Sequence, residues 1–377
     1  MNIEGLSNFL KESSLDLAEN YCIVNRRIVS LKEVECMGCN EFSLFSKKNM
    51  PLKLYKYFPN KWEVKDNIPV NYSLLALKNN TVYMQSPDLF DDVYDSNIHI
   101  EWKEYAYTRL RIYCQRCKCS TGENLNFEEL LNSLSNLLQE VLNSSQNIQA
   151  VFGTDENEMV RLTNEIFANR ILLLINRNVN LSEAIIQALE QEYIEYTKQL
   201  QKTFRTTCFA TTPFSQLMWG GSYADCHKGF CIEYTIDPNI VELQNQYSNL
   251  FPMVYCSVRP DVTKEIIKTR DKAITDKELW SIYFHGALRK SIDWTYQDEW
   301  RLLLPFNKAT VNFNVKFFPI TKVYLGNRMN KANRQEIIEI CHKKNIPYAG
   351  VTKDNNKFQM RECNTLCEEC PNFQSKR

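Results

Sequence analysis

Apolar residues recur along this chain with two periods, and the switch between them marks its organisation. Ile3, Leu6, Phe9 and Leu10 share one helical face, a strand is expected around Tyr21–Ser30, and a turn follows at Cys36-Met-Gly-Cys39. Leu54-Tyr55-Lys56-Tyr57-Phe58 reads as an aromatic-rich strand. A polar loop from Pro59 to Asn71 precedes a short helix at Tyr72–Leu77, a turn at Lys78-Asn79-Asn80 and a strand over Thr81–Gln85 that stops at Ser86-Pro87.

From about residue 101 to 204 the period is helical. Leu130, Leu134, Leu137, Leu138, Val141 and Leu142 make one stripe, and Ile185, Ile186, Leu189, Tyr193, Tyr196 and Leu200 another. No proline occurs between Pro87 and Pro213, as long helices require. Strand patterns return at Thr207–Thr211, Gly229–Ile236, Met253–Val258, Trp300–Pro305, Val311–Phe317 and Lys322–Leu325. A helix at Ala332–Lys344 and a strand at Ile346–Val351 follow. The expected fold class is α+β, a mixed and mainly antiparallel sheet core with a large helical insertion. Residues 51–100 and 205–360 supply the core and 101–204 the insertion, with 1–50 an N-terminal appendage and 361–377 a Cys-rich tail.

Composition narrows the function classes. The 377 residues suffice for one elaborated domain or two. Lys plus Arg, 45, cancels Asp plus Glu, 45, which argues against a generally basic nucleic-acid binder while leaving room for a local basic face. Ten glycines are too few for glycine-rich phosphate loops. The longest apolar run, Ile171–Ile175, is far too short to span a bilayer, and the first residues carry no secretory pattern. A cytoplasmic protein without a membrane partner is expected. Fourteen cysteines in a reducing compartment then mean buried thiols, metal ligands or reactive sites.

Three stretches combine polar, aromatic and charged residues beyond what a core needs. Ser86-Pro-Asp-Leu-Phe-Asp-Asp-Val-Tyr-Asp95 places Asp91, Asp92 and Asp95 just after a strand, as a ligand site or as a solvated capping turn. Leu217-Met-Trp-Gly-Gly-Ser-Tyr-Ala-Asp-Cys-His227-Lys228-Gly229 is either a recognition loop or a structural corner. Lys290-Ser-Ile-Asp-Trp-Thr-Tyr-Gln-Asp-Glu299-Trp-Arg301 puts Glu299 and Arg301 on one face of an alternating strand. A carboxylate between aromatic rings is partly desolvated, which suits proton transfer or stabilisation of a developing cation. Its plain alternative is an edge-strand salt bridge.

These stretches and the Leu54–Phe58 strand resemble the bacterial family catalogued as domain of unknown function 2971. That pattern runs Leu-Tyr-Lys-Tyr-Arg, a strand ending Ser-Pro, Phe-Asn-Asp-Pro-Phe-Asp/Glu, Met-Trp-Ser-His-Tyr-Ala-Asp-Asn-His-Lys-Gly-Phe-Cys and Trp-x-Tyr-x-x-Glu-Trp-Arg. The likeness covers about residues 52–305. Phe58 stands where the family has Arg, and Gly220-Gly221-Ser222 where it has Ser-His. The order of elements is similar to the ADP-ribosyltransferase fold. That likeness implies an enzyme acting on NAD or a related nucleotide, in phage defence or as a toxin. Glu299, His227 and Asp92 would be catalytic. Tyr55, Tyr57, Ser86, Trp219, Tyr223, Lys228 and Arg301 would bind the nucleotide, with aromatics on the nicotinamide and Lys228 or Arg301 on the pyrophosphate. One carboxylate would stabilise the oxocarbenium-like centre formed as the nicotinamide–ribose bond breaks. The alternatives are a Mg²⁺-dependent nuclease built on Asp91, Asp92, Asp95 and Glu299, and a non-catalytic ligand-binding sensor.

Eight cysteines cluster as Cys36/Cys39, Cys114/Cys117/Cys119 and Cys363/Cys367/Cys370. Two-residue spacing lets two sulfurs reach one ion. A structural Zn²⁺ held by Cys36, Cys39, Cys363, Cys367 and Cys370 is expected, with Cys114, Cys117 and Cys119 as alternative ligands and an iron–sulfur cluster as the alternative group. Cys22, Cys208, Cys226, Cys231, Cys256 and Cys341 sit among apolar positions and read as core. The helical insertion offers a surface for a homo-oligomer or a macromolecular target.

Overall fold

A computed structural model of the chain describes residues 19–119, 125–144, 146–152, 158–271, 275–305 and 313–363. The helix expected around Ile3–Leu10 lies outside them, as do Cys367 and Cys370. The fold is mixed α/β, about half helical, with several mostly antiparallel sheets. It divides into two compact units. The first runs to Asp95, resumes over Lys202–Val258 and again from Leu288, and the second is Ser96–Gln201 with Arg259–Ala287.

Among the described residues, all the strands belong to the first unit. They are β1 (Tyr21–Val24), β2 (Arg27–Ser30), β3 (Lys53–Phe58), β4 (Glu63–Lys65), β5 (Ile68–Val70) and β6 (Thr81–Met84). Then come β7 (Phe204–Phe209), β8 (Phe230–Thr235), β9 (Leu250–Pro252), β10 (Val254–Cys256) and β11 (Arg289–Ser291). The last are β12 (Trp300–Pro305), β13 (Phe313–Lys316), β14 (Ile320–Leu325), β15 (Tyr348–Lys353) and β16 (Met360–Glu362). The largest sheet has the order β16-β15-β14-β8-β3, and β7-β12-β9, β13-β6 and β11-β10-β1-β2 form others. Among the strands of the described residues, only β10–β11 and β14–β15 pair in parallel, the latter joined by the helix Lys331–Lys344. Reciprocal backbone bonds between Tyr55 and Ala210 and between Gln85 and Thr206 tie β7 to β3 and to the end of β6.

Period-two alternation gives the largest sheet two distinct faces. Leu54, Phe58, Phe230, Ile232, Tyr234 and Val323 enter one core together with Trp300, Leu302 and Leu304 of β12. Burying each such side chain contributes about 1.5–3 kcal/mol. The opposite face carries Tyr55, Tyr57, Cys231 and Tyr324 under Met218, Trp219 and Ala224.

The structure refines three local expectations. The stretch Pro59–Asn71 contains the hairpin β4–β5, whose turn residues Asp66 and Asn67 have φ of 52° and 62°, the left-handed geometry that matches strand twist. The strand expected at Met253–Val258 is present as β10, Val254–Cys256, and a separate short strand precedes it. β9 ends at Pro252, which has no N–H to continue a ladder, and β10 starts afresh beside β1 and β11. Cys36 and Cys39 close one helix, Leu31–Cys36, and open the next, Cys39–Lys48.

The second unit is helical in its described residues. Its helix Phe127–Asn143 begins with a capping box, Asn126 Oδ1 accepting the Glu129 N–H and Glu129 accepting the Asn126 N–H. Leu130, Leu134 and Leu138 of that helix are buried with Phe167, Ile171, Ile185 and Leu189. Glu192, buried among them, accepts from Tyr105, Arg109 and Tyr113. No helix among the described residues is long and apolar enough to cross a membrane.

Candidate functional site

In the first unit β12 follows a six-residue 3-10 helix, Ile292–Gln297, that ends at Asp298 in the left-handed region (φ 44°). This reversal delivers Glu299 and Arg301 side by side. Trp300, between them, points into the core. Arg301 donates from Nε and Nη2 to Glu299 Oε1, at 2.9 and 2.7 Å. Its Nη1 and Nη2 also reach Asp95 Oδ1 and Oδ2, both at 2.9 Å. Lys290 Nζ closes the group, 3.3 Å from Asp95 Oδ2 and 3.3 Å from Glu299 Oε2, and donates to Gln297 Oε1 at 2.9 Å. The four charged side chains are 0–6% exposed.

Two carboxylates and two cations balance, so the cluster is held without net charge. Burial alone would raise the Glu299 pKa, but Arg301 and Lys290 outweigh it and hold the group below its ordinary value. Burial likewise pulls Lys290 down, and Glu299 with Asp95 more than reverses that, so Lys290 stays protonated. The Cys208 thiol, opposite Arg301 in β7, is pushed up to about 12 by burial and by Glu299. The Glu299 N–H donates to Tyr255 Oη at 2.8 Å, which fixes the backbone under the carboxylate.

Half-buried aromatic rings stand around this charged floor. Lys290 Nζ lies 4.8 Å from the Trp294 ring centre and the Arg301 guanidinium 5.6 Å from that of Phe90. Gln297 Nε2 donates to Tyr223 Oη at 2.6 Å, and Tyr296 packs 5.9 Å from Trp294. The three stretches singled out in the sequence therefore meet here, through Phe90 and Asp95, Tyr223, and Lys290 to Arg301.

The other expected site residues lie elsewhere or at the edge. Asp92 is half-buried, accepts the Tyr94 N–H as a turn residue, and acts electrostatically on Tyr296. Trp219 is fully buried, its indole N–H donating to Pro213 O at 2.7 Å and its ring edge-on to Tyr57. Tyr57 Oη donates to Thr212 O at 2.8 Å, while Tyr55 joins the buried Glu233 with Lys53, Thr321 and Tyr324. Ser86 is buried at the one-turn helix Pro87–Leu89, and Lys228 is exposed. His227 lines a different groove, with Arg328 and the β15–β16 turn.

His227 is held there by unusual backbone. Asp225, Cys226 and His227 have successive φ of 46°, 52° and 69°. Such residues cost about 1–2 kcal/mol each outside glycine. The turn is locked because Gly229 and Gly326 allow close approach. A Cβ at Gly229 would sit 2.1 Å from Phe58 O, and one at Gly326 2.1 Å from His227 O. Cys226 is exposed on this turn, not core as its neighbours suggested, whereas Cys22, Cys231, Cys256 and Cys341 are buried.

Among the described residues no group of three His, Cys, Asp or Glu side chains is arranged to hold a metal ion. Cys36 and Cys39 are exposed, Cys114 is buried, and Cys117, Cys119 and Cys363 are intermediate. The described donors thus do not make up the expected zinc site.

The sequence reading missed Lys290, Gln297 and Tyr296 and chose Asp92 over Asp95. A signal existed for Asp95, because it follows a run of turn residues and can fold back towards the sheet. Nothing in the local pattern announces that Lys290 reaches across to Glu299.

The fold and site define a mixed α/β protein with an ionised, charge-balanced cluster under aromatic side chains. Residues 218–302 match the model of a family described as Protein of unknown function (DUF2971), which supports the resemblance drawn from the sequence. That stretch contains Tyr223, His227, Lys290, Glu299 and Arg301. No curated protein and no solved structure matches the chain.

Proposed function

We propose that this chain is a glycosyl-transfer enzyme of the ADP-ribosyltransferase-like kind, acting on NAD or a related nucleotide with Glu299 as its catalytic carboxylate. One observation carries the reading: an ionised carboxylate in a buried site, flanked by half-buried aromatic rings. When the C1′–N bond of NAD breaks, the bonding pair leaves with nicotinamide and positive charge develops on the ribose. A preorganised carboxylate stabilises that charge most strongly where water is excluded. Glu299 Oε1 is held by Arg301, so Oε2, with Lys290 as its longer contact, is the oxygen offered to the ribose. Lys290 keeps Asp95 and Gln297 as partners if it moves away. Tyr223, Trp294 and Tyr296 supply stacking surface for the nicotinamide ring. Water or a target side chain then attacks C1′.

A Mg²⁺-dependent nuclease fits less well. Asp95 and Glu299 already face two buried cations, which oppose a divalent ion at the same oxygens. A structural zinc would need ligands beyond the described residues.

Purified protein incubated with NAD labelled in the nicotinamide ring should release labelled nicotinamide, and Glu299→Gln should reduce the rate at least 100-fold, measured well below the variant's own melting temperature so that lost stability does not count as lost catalysis. Saturable NAD binding without release would instead favour the sensor reading. Equal rates in both proteins would sink the role given to Glu299.

A further inference from the structure

His227 faces a groove of about 450 Å³ formed with Asn327, Arg328 and the turn that joins β15 to β16. This size falls within the roughly 300–1,000 Å³ of small-molecule sites. Arg328, Lys353 and Lys357 line it, against one carboxylate, Asp354. Asp354 accepts the N–H groups of Asn356 and Lys357 at 2.8 and 3.2 Å, so part of its charge is engaged in shaping the turn. The groove therefore presents a positive field suited to a phosphate.

Two further features go beyond charge. His227 and Asn327 line the groove, and their Nδ1 and Oδ1 atoms are buried with no hydrogen-bond partner among the described residues. Buried polar atoms normally find partners, so orphaned ones on groove-lining side chains leave a hydrogen-bonding deficit that a ligand in the groove fills as those side chains turn toward it. Phe358 stands at the rim, 99% exposed, as a free face for a planar ring. The left-handed run Asp225–His227 is backbone strain of the kind kept at ligand sites, and Arg328 N–H on His227 O at 3.0 Å ties it to the cationic side.

We propose that this groove binds a phosphorylated nucleotide, with Arg328, Lys353 and Lys357 on the phosphates, Asn327 and His227 on sugar or base hydrogen-bonding groups, and Phe358 on the base. The assignment rests on the groove's own side chains and not on Glu299. Binding is read without turnover. A protein that binds but releases no nicotinamide keeps this site and loses the glycosyl-transfer reading, and the reverse outcome does the opposite.

The test is calorimetric titration of the full chain with ADP, adenosine and pyrophosphate. ADP should bind at one site, at least tenfold tighter than adenosine. The double variant Arg328→Ala/Lys357→Ala should weaken ADP at least tenfold, and both residues are exposed, so its melting temperature should match the parent's. Phe358→Ala should weaken ADP severalfold and leave pyrophosphate unchanged. Absence of saturable ADP binding, or parental affinity in the double variant, overturns the proposal. So does an RNA oligonucleotide that binds at this groove more tightly than ADP, because the partner is then a macromolecule.

Discussion

Arg301 and Asp95, 206 positions apart in the chain, form a two-pronged ion pair with both N–O distances at 2.9 Å and both side chains buried. It fixes the loop after β6 to the start of β12. Through Glu299 and Lys290 it also sets the charge balance of the whole cluster.

Removing one member of a buried pair leaves an uncompensated charge, which costs about 3–5 kcal/mol. Asp95→Ala should therefore lower stability by about that amount, measured as the shift in urea midpoint. Asp92→Ala, at a half-buried turn residue, should cost under about 1 kcal/mol. Equal losses at the two positions would remove the distinction drawn between them.

Acid should release the stability stored in Glu299. Its folded-state pKa lies below the ordinary value despite burial, through Arg301 and Lys290. A carboxylate of this kind stabilises the fold above its unfolded pKa of about 4.3 and loses that contribution as pH falls through the folded value. Lys290, shifted upward, acts with the opposite sign: its contribution is complete below about pH 10.4 and is lost as pH rises through the higher folded-state value. Urea midpoints between pH 3 and 7 should fall steeply for the parent and more gently for Glu299→Gln. Parallel curves would count against the coupling.

His227 should titrate below the ordinary histidine range. Burial depresses its pKa first and Arg328 adds to the effect. The fold thus favours the neutral ring, and this contribution is present above about pH 6.5 and lost as pH falls through the folded value. NMR titration of the ring protons should give a midpoint under 6.5, and Arg328→Ala should move it upward. A midpoint at or above 6.5 would mean that the ring is solvated.

Two neighbouring glycines should respond differently to alanine. At Gly229 the new Cβ would meet Phe58 O at 2.1 Å and Ala224 O at 2.9 Å, both backbone atoms that cannot swing aside. Gly229→Ala should cost at least about 2–3 kcal/mol. At Gly220 the nearest atom is His227 Nε2 at 3.9 Å, an ordinary contact, so Gly220→Ala should stay within about 0.5 kcal/mol. Thermal melts of both variants decide the point.

Much of this was legible in the residues. The aromatic strand at 53–58, the helical stripes between 101 and 204 and the crossover after Leu325 follow from period and punctuation, which are local properties. The Glu299-Trp-Arg301 alternation likewise announced two polar side chains on one face with a core residue between. Less legible were the break at Pro252 and the left-handed run at Asp225–His227. In each, contacts from distant segments decide the backbone: β12 takes β9 while β1 and β11 take β10, and Gly326 packs on His227 O.

By itself, the sequence determined the mixed α/β class and the three stretches that carry polar chemistry, because periodicity and residue type are written along the chain. Only the tertiary structure decided which of those residues meet. It chose Asp95 over Asp92, brought in Lys290, and sent His227 to a separate groove. The physical reason is that a buried charge must find its counter-charge in three dimensions, and sequence spacing does not encode which distant residue will be within reach.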